Sequence, residues 1–256
     1  MLSKNKIKYI RLLGTKKKRD EDKVFVAEGR KLVAELLPHF QCVYLAATQE
    51  WYEENGRFIQ YMPADRDVVS DDELRRASIQ ETPQGVLAIF RQHCDDTSLA
   101  EVAIRELCLM LDDVQNPGNL GTIVRIADWF GISHIFCSHG TADIYNSKTV
   151  QATMGSLARV SVHYCSLEAE LDALSSIGGV PVFGTFLDAP SIYSTPLSRH
   201  GIIIMGNEGK GISASIARHV TNRLFIPSYP EGRETAESLN VAIATAIVCA
   251  EFRRRQ

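Results

Sequence analysis

Three stretches of this 256-residue chain combine residue types that suit chemistry. The densest is residues 201–213, GIIIMGNEGKGIS, where Asn207, Glu208 and Lys210 stand among Gly206, Gly209 and Gly211. Glycine carries no Cβ, so the backbone of such a loop can approach a ligand closely. A phosphate cradle is the first chemistry to test, and the spacing excludes it. A P-loop requires G-x-x-x-x-G-K-[ST], whereas here Gly211 follows the lysine, and the dinucleotide fingerprint G-x-G-x-x-G is missed as well. An ordinary β-turn remains the alternative to a ligand loop.

The second stretch is Asp112-Asp113-Val114-Gln115-Asn116-Pro117-Gly118-Asn119. It opens a predicted helix over 118–130, started by Pro117 or Gly118 and capped by Asn116 or Asn119. Leu120, Ile123, Val124, Ala127 and Phe130 form its apolar stripe. Arg125 falls off that stripe and faces solvent, a cleft, or an ion pair with Asp128. The third stretch, Ser238 and Asn240, opens a predicted helix over 237–253. That helix is apolar almost all round, as expected when it is buried in a core or against a partner subunit.

These groups need elements to position them. The run 202–205 reads as a strand buried on both faces. Further strands are predicted over 107–111, 134–137, 161–164, 180–183 and 223–226, and further helices over 147–157, 168–175 and 214–219. If the strands are parallel, the loops after Leu111, Phe183, Met205 and Ile226 converge on one sheet edge, where open α/β folds bind ligands. Before them lies a smaller α/β unit. Its strands are predicted over 24–27, 42–46 and 85–91, and its helices over 30–37, 50–54 and, from a Ser70/Glu73 capping box, 71–77. The chain therefore divides into 1–94, a linker and short helix over 95–105, and 106–256.

Composition narrows the class. Apolar residues make up 45% and charged residues 23%, ordinary for a globular protein. The six cysteines include no C-x-x-C pair, which argues against a zinc site and for reduced thiols in a cytoplasm. No apolar run reaches the length of a membrane span, and the basic N-terminus does not read as a signal peptide. A net charge of −3 excludes a globally basic nucleic-acid binder. A local patch survives: Lys4, Lys6, Lys8, Arg11, Lys16, Lys17, Lys18 and Arg19 precede the first carboxylate, on a basic helix and loop with Gly14 as C-cap. A solvated surface helix is the plainer alternative.

Taken together, NPGNLGTIVRIADWFG (116–131), IIIMGNEGKGIS (202–213) and LFIPS with ESLNVAIATAIVCAE (224–251) resemble the three motifs of the SpoU/TrmH family of RNA ribose 2′-O-methyltransferases, in the SPOUT superfamily. FVAEGRKLVAELL (25–37) and ETPQGVLAIF (81–90) resemble the RNA-binding domain that often precedes it, a ribosomal-protein-like α/β fold. The resemblance implies a trefoil-knotted parallel sheet, S-adenosylmethionine as cofactor, a homodimer packed partly through the last helix, RNA as partner, and no metal. Carried over by position, Asn119, Arg125, Glu208, Ser238 and Asn240 match polar active-site positions. Gly184, Thr185, Met205, Gly206, Asn207, Gly211, Ile226, Ser238 and Leu239 would surround the cofactor. Lys4, Lys8, Lys16, Lys17, Lys18, Arg19 and Arg125 would meet RNA. A guanidinium stays protonated at neutral pH, so Arg125 suits a phosphate clamp better than a base. The segment 228–236 is longer than the family usually has. A non-catalytic RNA-binding relative is the alternative function.

Overall fold

The computed structural model describes residues 2–93, 97–230, 233 and 236–255. Cys94, part of the 95–105 linker and part of the 228–236 segment lie outside the described residues. The chain forms two compact units, residues 1–94 with 143–158, and residues 95–142 with 159–256.

The first unit begins with helices α1 (Lys4–Leu12) and α2 (Lys16–Asp22). There follow β1 (Val24–Glu28), α3 (Arg30–Leu36), β2 (Cys42–Ala47), α4 (Gln49–Glu54), a 3-10 turn (Gly56–Tyr61), β3 (Arg66–Val68), α5 (Asp71–Ala77) and β4 (Val86–Arg91). The sheet order is β1-β4-β2-β3, antiparallel except for the β2–β3 pair. All five residues of β1 are buried, as the apolar run VFVA requires. The predicted capping box forms, with Ser70 and Glu73 satisfying each other's backbone N–H. The segment after α1 is a helix rather than a loop, and α1 ends through Leu13, not at a left-handed Gly14.

The second unit contains α6 (Leu99–Ala103), β5 (Leu107–Leu111), α7 (Pro117–Trp129) and β6 (His134–Cys137). The chain then enters α8 (Ser147–Thr153), which belongs to the first unit. It continues through β7 (Ser161–Tyr164), α9 (Leu167–Ile177), β8 (Val182–Thr185), β9 (Gly201–Met205), α10 (Ala214–Ala217), β10 (Asn222–Leu224) and α11 (Val241–Arg254). The order β10-β8-β9-β5-β6-β7 is parallel throughout. Strand order reverses between β9 and β5, the switch point where such sheets take ligands. β5 and β9 are buried along their whole length, matching their unbroken aliphatic runs.

Several predicted boundaries shift by a few residues, two of them at the site. β8 starts at Val182, since Pro181 has no N–H to give the ladder, and so it carries Gly184 and Thr185 within it. α11 starts at Val241 instead of 237, leaving Ser238 and Leu239 in the approach to the helix. It is also less uniformly apolar than expected. Thr245 and Glu251 are buried in it, the carboxylate held by Arg254 and Arg255 at 2.7 and 2.6 Å.

Candidate active site and cofactor loop

The glycine loop is held by carboxylates at the end of β5. Buried Asp112 accepts the Ser213 N–H at 2.7 Å, fixing the loop's exit into α10. Asp113 adopts a left-handed conformation (φ 62°), which Asp tolerates better than most residues. In that pose its carbonyl accepts from the Asn207 carboxamide at 2.8 Å, while its own N–H donates to Ser138. Asn207 then accepts from the N–H groups of Gly209 and Lys210, and its backbone pairs with Gly211. Its amide is spent on shaping the loop.

The glycines have separate reasons. A Cβ on Gly206 would overlap the backbone of Gly211 and Ile212, so only glycine lets the two strands of the loop touch. Gly211 has φ 69° and open space where a side chain would stand. Gly184 fits against Val220, Phe186 and Ile212, and thereby sets the wall beside the loop. Met205 is buried in β9, Thr185 and Ile226 are half-buried at strand ends, and Leu239 is exposed.

Glu208 turns toward α7. Its carboxylate accepts from the Asn119 amide at 2.9 Å and from the backbone N–H groups of Gln115 and Asn116 at 3.4 Å. Burial pushes this carboxyl up, but the Asn119 amide and the backbone donors outweigh it, and the net shift is downward. Asn119 in turn accepts from the Asn240 amide at 3.0 Å. The Asn240 carbonyl oxygen caps α11 by accepting from Ala242 and Ile243. Glu208, Asn119 and Asn240, far apart in sequence, thus form one polar chain from the loop to two helix starts.

Arg125 and Ser238 are not hydrogen-bonded into that chain. Asp128, the expected partner of Arg125, is taken by Arg159 in a two-pronged pair at 2.8–3.0 Å. Among the described residues Arg125 has no ion-pair or side-chain hydrogen-bond partner, and it is exposed. An unpaired guanidinium on the helix that carries Asn119 is available to an anion.

In the first unit the basic residues separate into two sets. Lys4, Lys8, Lys16 and Lys17 are exposed. Lys18 pairs with Asp22 at 3.0 Å and Glu21 at 3.6 Å. Arg19 does not belong among surface contacts at all. It is 2% exposed, donates to the Leu13 and Gly14 carbonyls, and pairs with Asp143 at 2.6 Å. Its register on α2 turns it inward, where it caps α1. Asp112 and Asp113 stand in the second of the three chemistry-bearing stretches, but the sequence assigned them no role there. Two adjacent carboxylates ending a buried strand were the available signal, but the backbone angle that gives Asp113 its role is not written in residue type.

With this geometry in place, comparison with known proteins is decisive. Residues 106–250 match the SpoU rRNA Methylase family, and residues 4–88 match the MRM3-like substrate binding domain. The chain belongs to the SpoU/TrmH family. It is 33% identical over 97% of its length to 96% of the Bacillus subtilis 23S rRNA (guanosine(2553)-2′-O)-methyltransferase RlmP. A TrmH-family structure from Porphyromonas gingivalis superposes over the full length of both chains with TM-score 0.89 and 41% identity. An AdoMet-bound rRNA methyltransferase from Sinorhizobium meliloti gives 0.85 and 30%, covering all of this chain and 96% of that one. This SpoU/TrmH chain is therefore an S-adenosylmethionine-dependent RNA ribose 2′-O-methyltransferase. The open space beside Gly211, in a loop closed on itself at Gly206, fits a cofactor held largely by backbone groups.

Proposed function

We propose that the substrate is large-subunit ribosomal RNA. The observation that carries this is the extent of likeness to the B. subtilis enzyme, which runs through the substrate-binding half as well as the catalytic one. Target choice depends on both halves, because methyl-transfer motifs alone do not select an RNA.

When bound, S-adenosylmethionine supplies an electrophilic methyl group. Gly184, Thr185, Gly206, Gly211, Ile226 and Leu239 surround it, with Met205 and Asn207 shaping the loop from behind. Arg125 clamps an RNA phosphate and so aligns the ribose hydroxyl. Glu208 organises the site through Asn119 and Asn240. Its carboxylate already accepts three hydrogen bonds, which leaves it poorly suited to take a proton. Ser238, exposed just before α11, contacts the substrate or cofactor. We further infer the family's trefoil knot, supported by the full-length likeness to a TrmH-family structure.

A homodimer through α7 and α11 is supported by their apolar exposure. Trp129 is 85% exposed and Ile243 53%, apolar surface that a second copy would cover. The five described cysteines are free thiols, in keeping with a reducing cytoplasm. Among the described residues no helix is long and apolar enough to cross a membrane.

The test is tritiated methyl transfer to unmodified ribosomal RNA and transfer RNA offered separately. Label in ribosomal RNA at an alkali-resistant dinucleotide is the expected result. Label in transfer RNA alone overturns the substrate assignment.

A further inference from the structure

The outer face of α1 carries a stripe that the fold leaves unused. Lys4, Lys8 and Arg11 recur at i, i+4 and i+7, which places them on one side of the helix, and Thr15, the N-cap of α2, follows them. With Ile7 and Leu12 they line an open groove of about 440 Å³. Ile7 also packs against the core of the first unit, so the groove floor is anchored. Leu12 is 44% exposed, a large aliphatic surface facing water between cations.

The neighbouring cations behave differently. Lys6 pairs with Asp65 at 2.7 Å and Asp67 at 3.0 Å, and Lys18 pairs with Asp22. Lys4, Lys8 and Arg11 have no such partner among the described residues. The groove thus combines an apolar floor with an unneutralised basic rim.

We infer that this groove takes an unpaired nucleotide of the RNA, its base against Ile7 and Leu12 and its flanking phosphates on Lys4, Lys8 and Arg11. The inference rests on the RNA-methyltransferase reading above and adds to it the kind of RNA feature that the first unit grips. A duplex would present phosphates to the rim but leave the floor in contact with water. A base turned out of its stack presents a flat apolar face and two adjacent phosphates together, matching both parts of the groove. An acidic protein segment would match the rim alone.

Fluorescence anisotropy on the full chain tests this. The probes are a short labelled oligoribonucleotide of mixed sequence, single-stranded, and the same strand paired with its complement. The single strand should bind about tenfold more tightly, because only it offers a base face to Ile7 and Leu12. Leu12→Asn, a change at an exposed site, should remove most of that preference while leaving duplex binding unchanged. Lys8→Ala with Arg11→Ala should weaken both probes and lower the single-strand salt slope by roughly 1.4. Equal wild-type affinity for the two probes overturns the inference, as does an unchanged preference in Leu12→Asn. Displacement by polyglutamate as readily as by unlabelled single strand also overturns it, in favour of a protein partner. Methyl transfer to ribosomal RNA, measured on the same preparations, keeps the two readings apart. Transfer without the strand preference removes the groove alone, whereas absence of both transfer and RNA binding removes the reading beneath it.

Discussion

The glycine loop of the second unit and the basic segment of the first are both rich in polar side chains, yet they use them in opposite ways. Around the loop, Asp112, Asp113, Asn207, Glu208, Asn119 and Asn240 bond to one another or to nearby backbone. Arg125 and Lys210 are charged residues of that region whose side chains have no partner among the described residues. Along α1 and α2 the balance is reversed. Lys4, Lys8, Arg11, Lys16 and Lys17 are exposed, while Lys6, Lys18 and Arg19 are engaged by carboxylates. A catalytic site must hold its geometry before the substrate arrives, so its polar groups satisfy one another. A surface that meets phosphates keeps its cations free, because releasing counterions is what drives association.

The comparison breaks most visibly at its two arginines. Arg125→Ala should lower methyl transfer by about 10²–10³-fold, the range for losing one well-placed charge-stabilising group. Its melting temperature and S-adenosylmethionine affinity should stay at wild-type values, since no described residue depends on that side chain. Arg125→Lys should recover little if the guanidinium grips its phosphate with two N–H groups. A matching loss of stability would move Arg125 into the internally bonded set. Arg19→Ala should do the converse. Removing one partner of a buried pair costs about 3–5 kcal/mol, and here it also releases the Leu13 and Gly14 carbonyls. Lys17→Ala, two residues away and exposed, should change unfolding free energy by less than ~0.5 kcal/mol. Urea denaturation of the pair measures the difference.

Much of this division was legible in the sequence, and the remainder depended on contacts between distant residues. β5 and β6 match their predicted ranges because their apolar runs leave few alternatives for strands buried in a parallel sheet, and β7, a half-buried edge strand of sequence SVHY, matches without such a run. β3 escaped notice. Arg66, Asp67 and Val68 are largely exposed and become a strand only by pairing with β2. The assignment of 143–158 to the first unit was equally hidden. It rests on Asp143 meeting Arg19, Tyr145 stacking on Phe25 at 4.7 Å, and Gln80 donating to Gln151. At the site, residue types pointed to Asn119, Glu208 and Asn240. Their joining into one chain, and the capture of Asp128 by Arg159 that isolates Arg125, are three-dimensional facts.

Asn240 allows a finer cut within the internally bonded set, because its two functions use different atoms. Its oxygen caps α11 and its N–H reaches Asn119. Asn240→Ala loses both and should cost about 1 kcal/mol of stability. Asn240→Asp keeps a good cap but has no N–H to donate, so it should melt close to wild type while methyl transfer falls several-fold. Equal transfer by Asn240→Asp and wild type would reduce the residue to a cap.

The smallest effect expected is one of pH. The Glu208 carboxyl is held below its ordinary value of 4.5, with burial opposing the shift and the Asn119 and backbone donors prevailing. A depressed carboxyl contributes stability above its unfolded value and loses it as pH falls through the folded one. Glu208 is therefore ionised throughout the neutral range, and its titration lies wholly on the acid side. Glu208→Gln should lower the methyl-transfer rate by weakening the Asn119 contact, yet leave the shape of the rate profile between about pH 6 and 9 unchanged. Its stability deficit against wild type should be constant near neutrality and shrink only below the ordinary carboxylate range. An acid limb near neutrality that disappears in Glu208→Gln would instead make this carboxylate the proton acceptor, and move it from the bonded framework to the reacting groups.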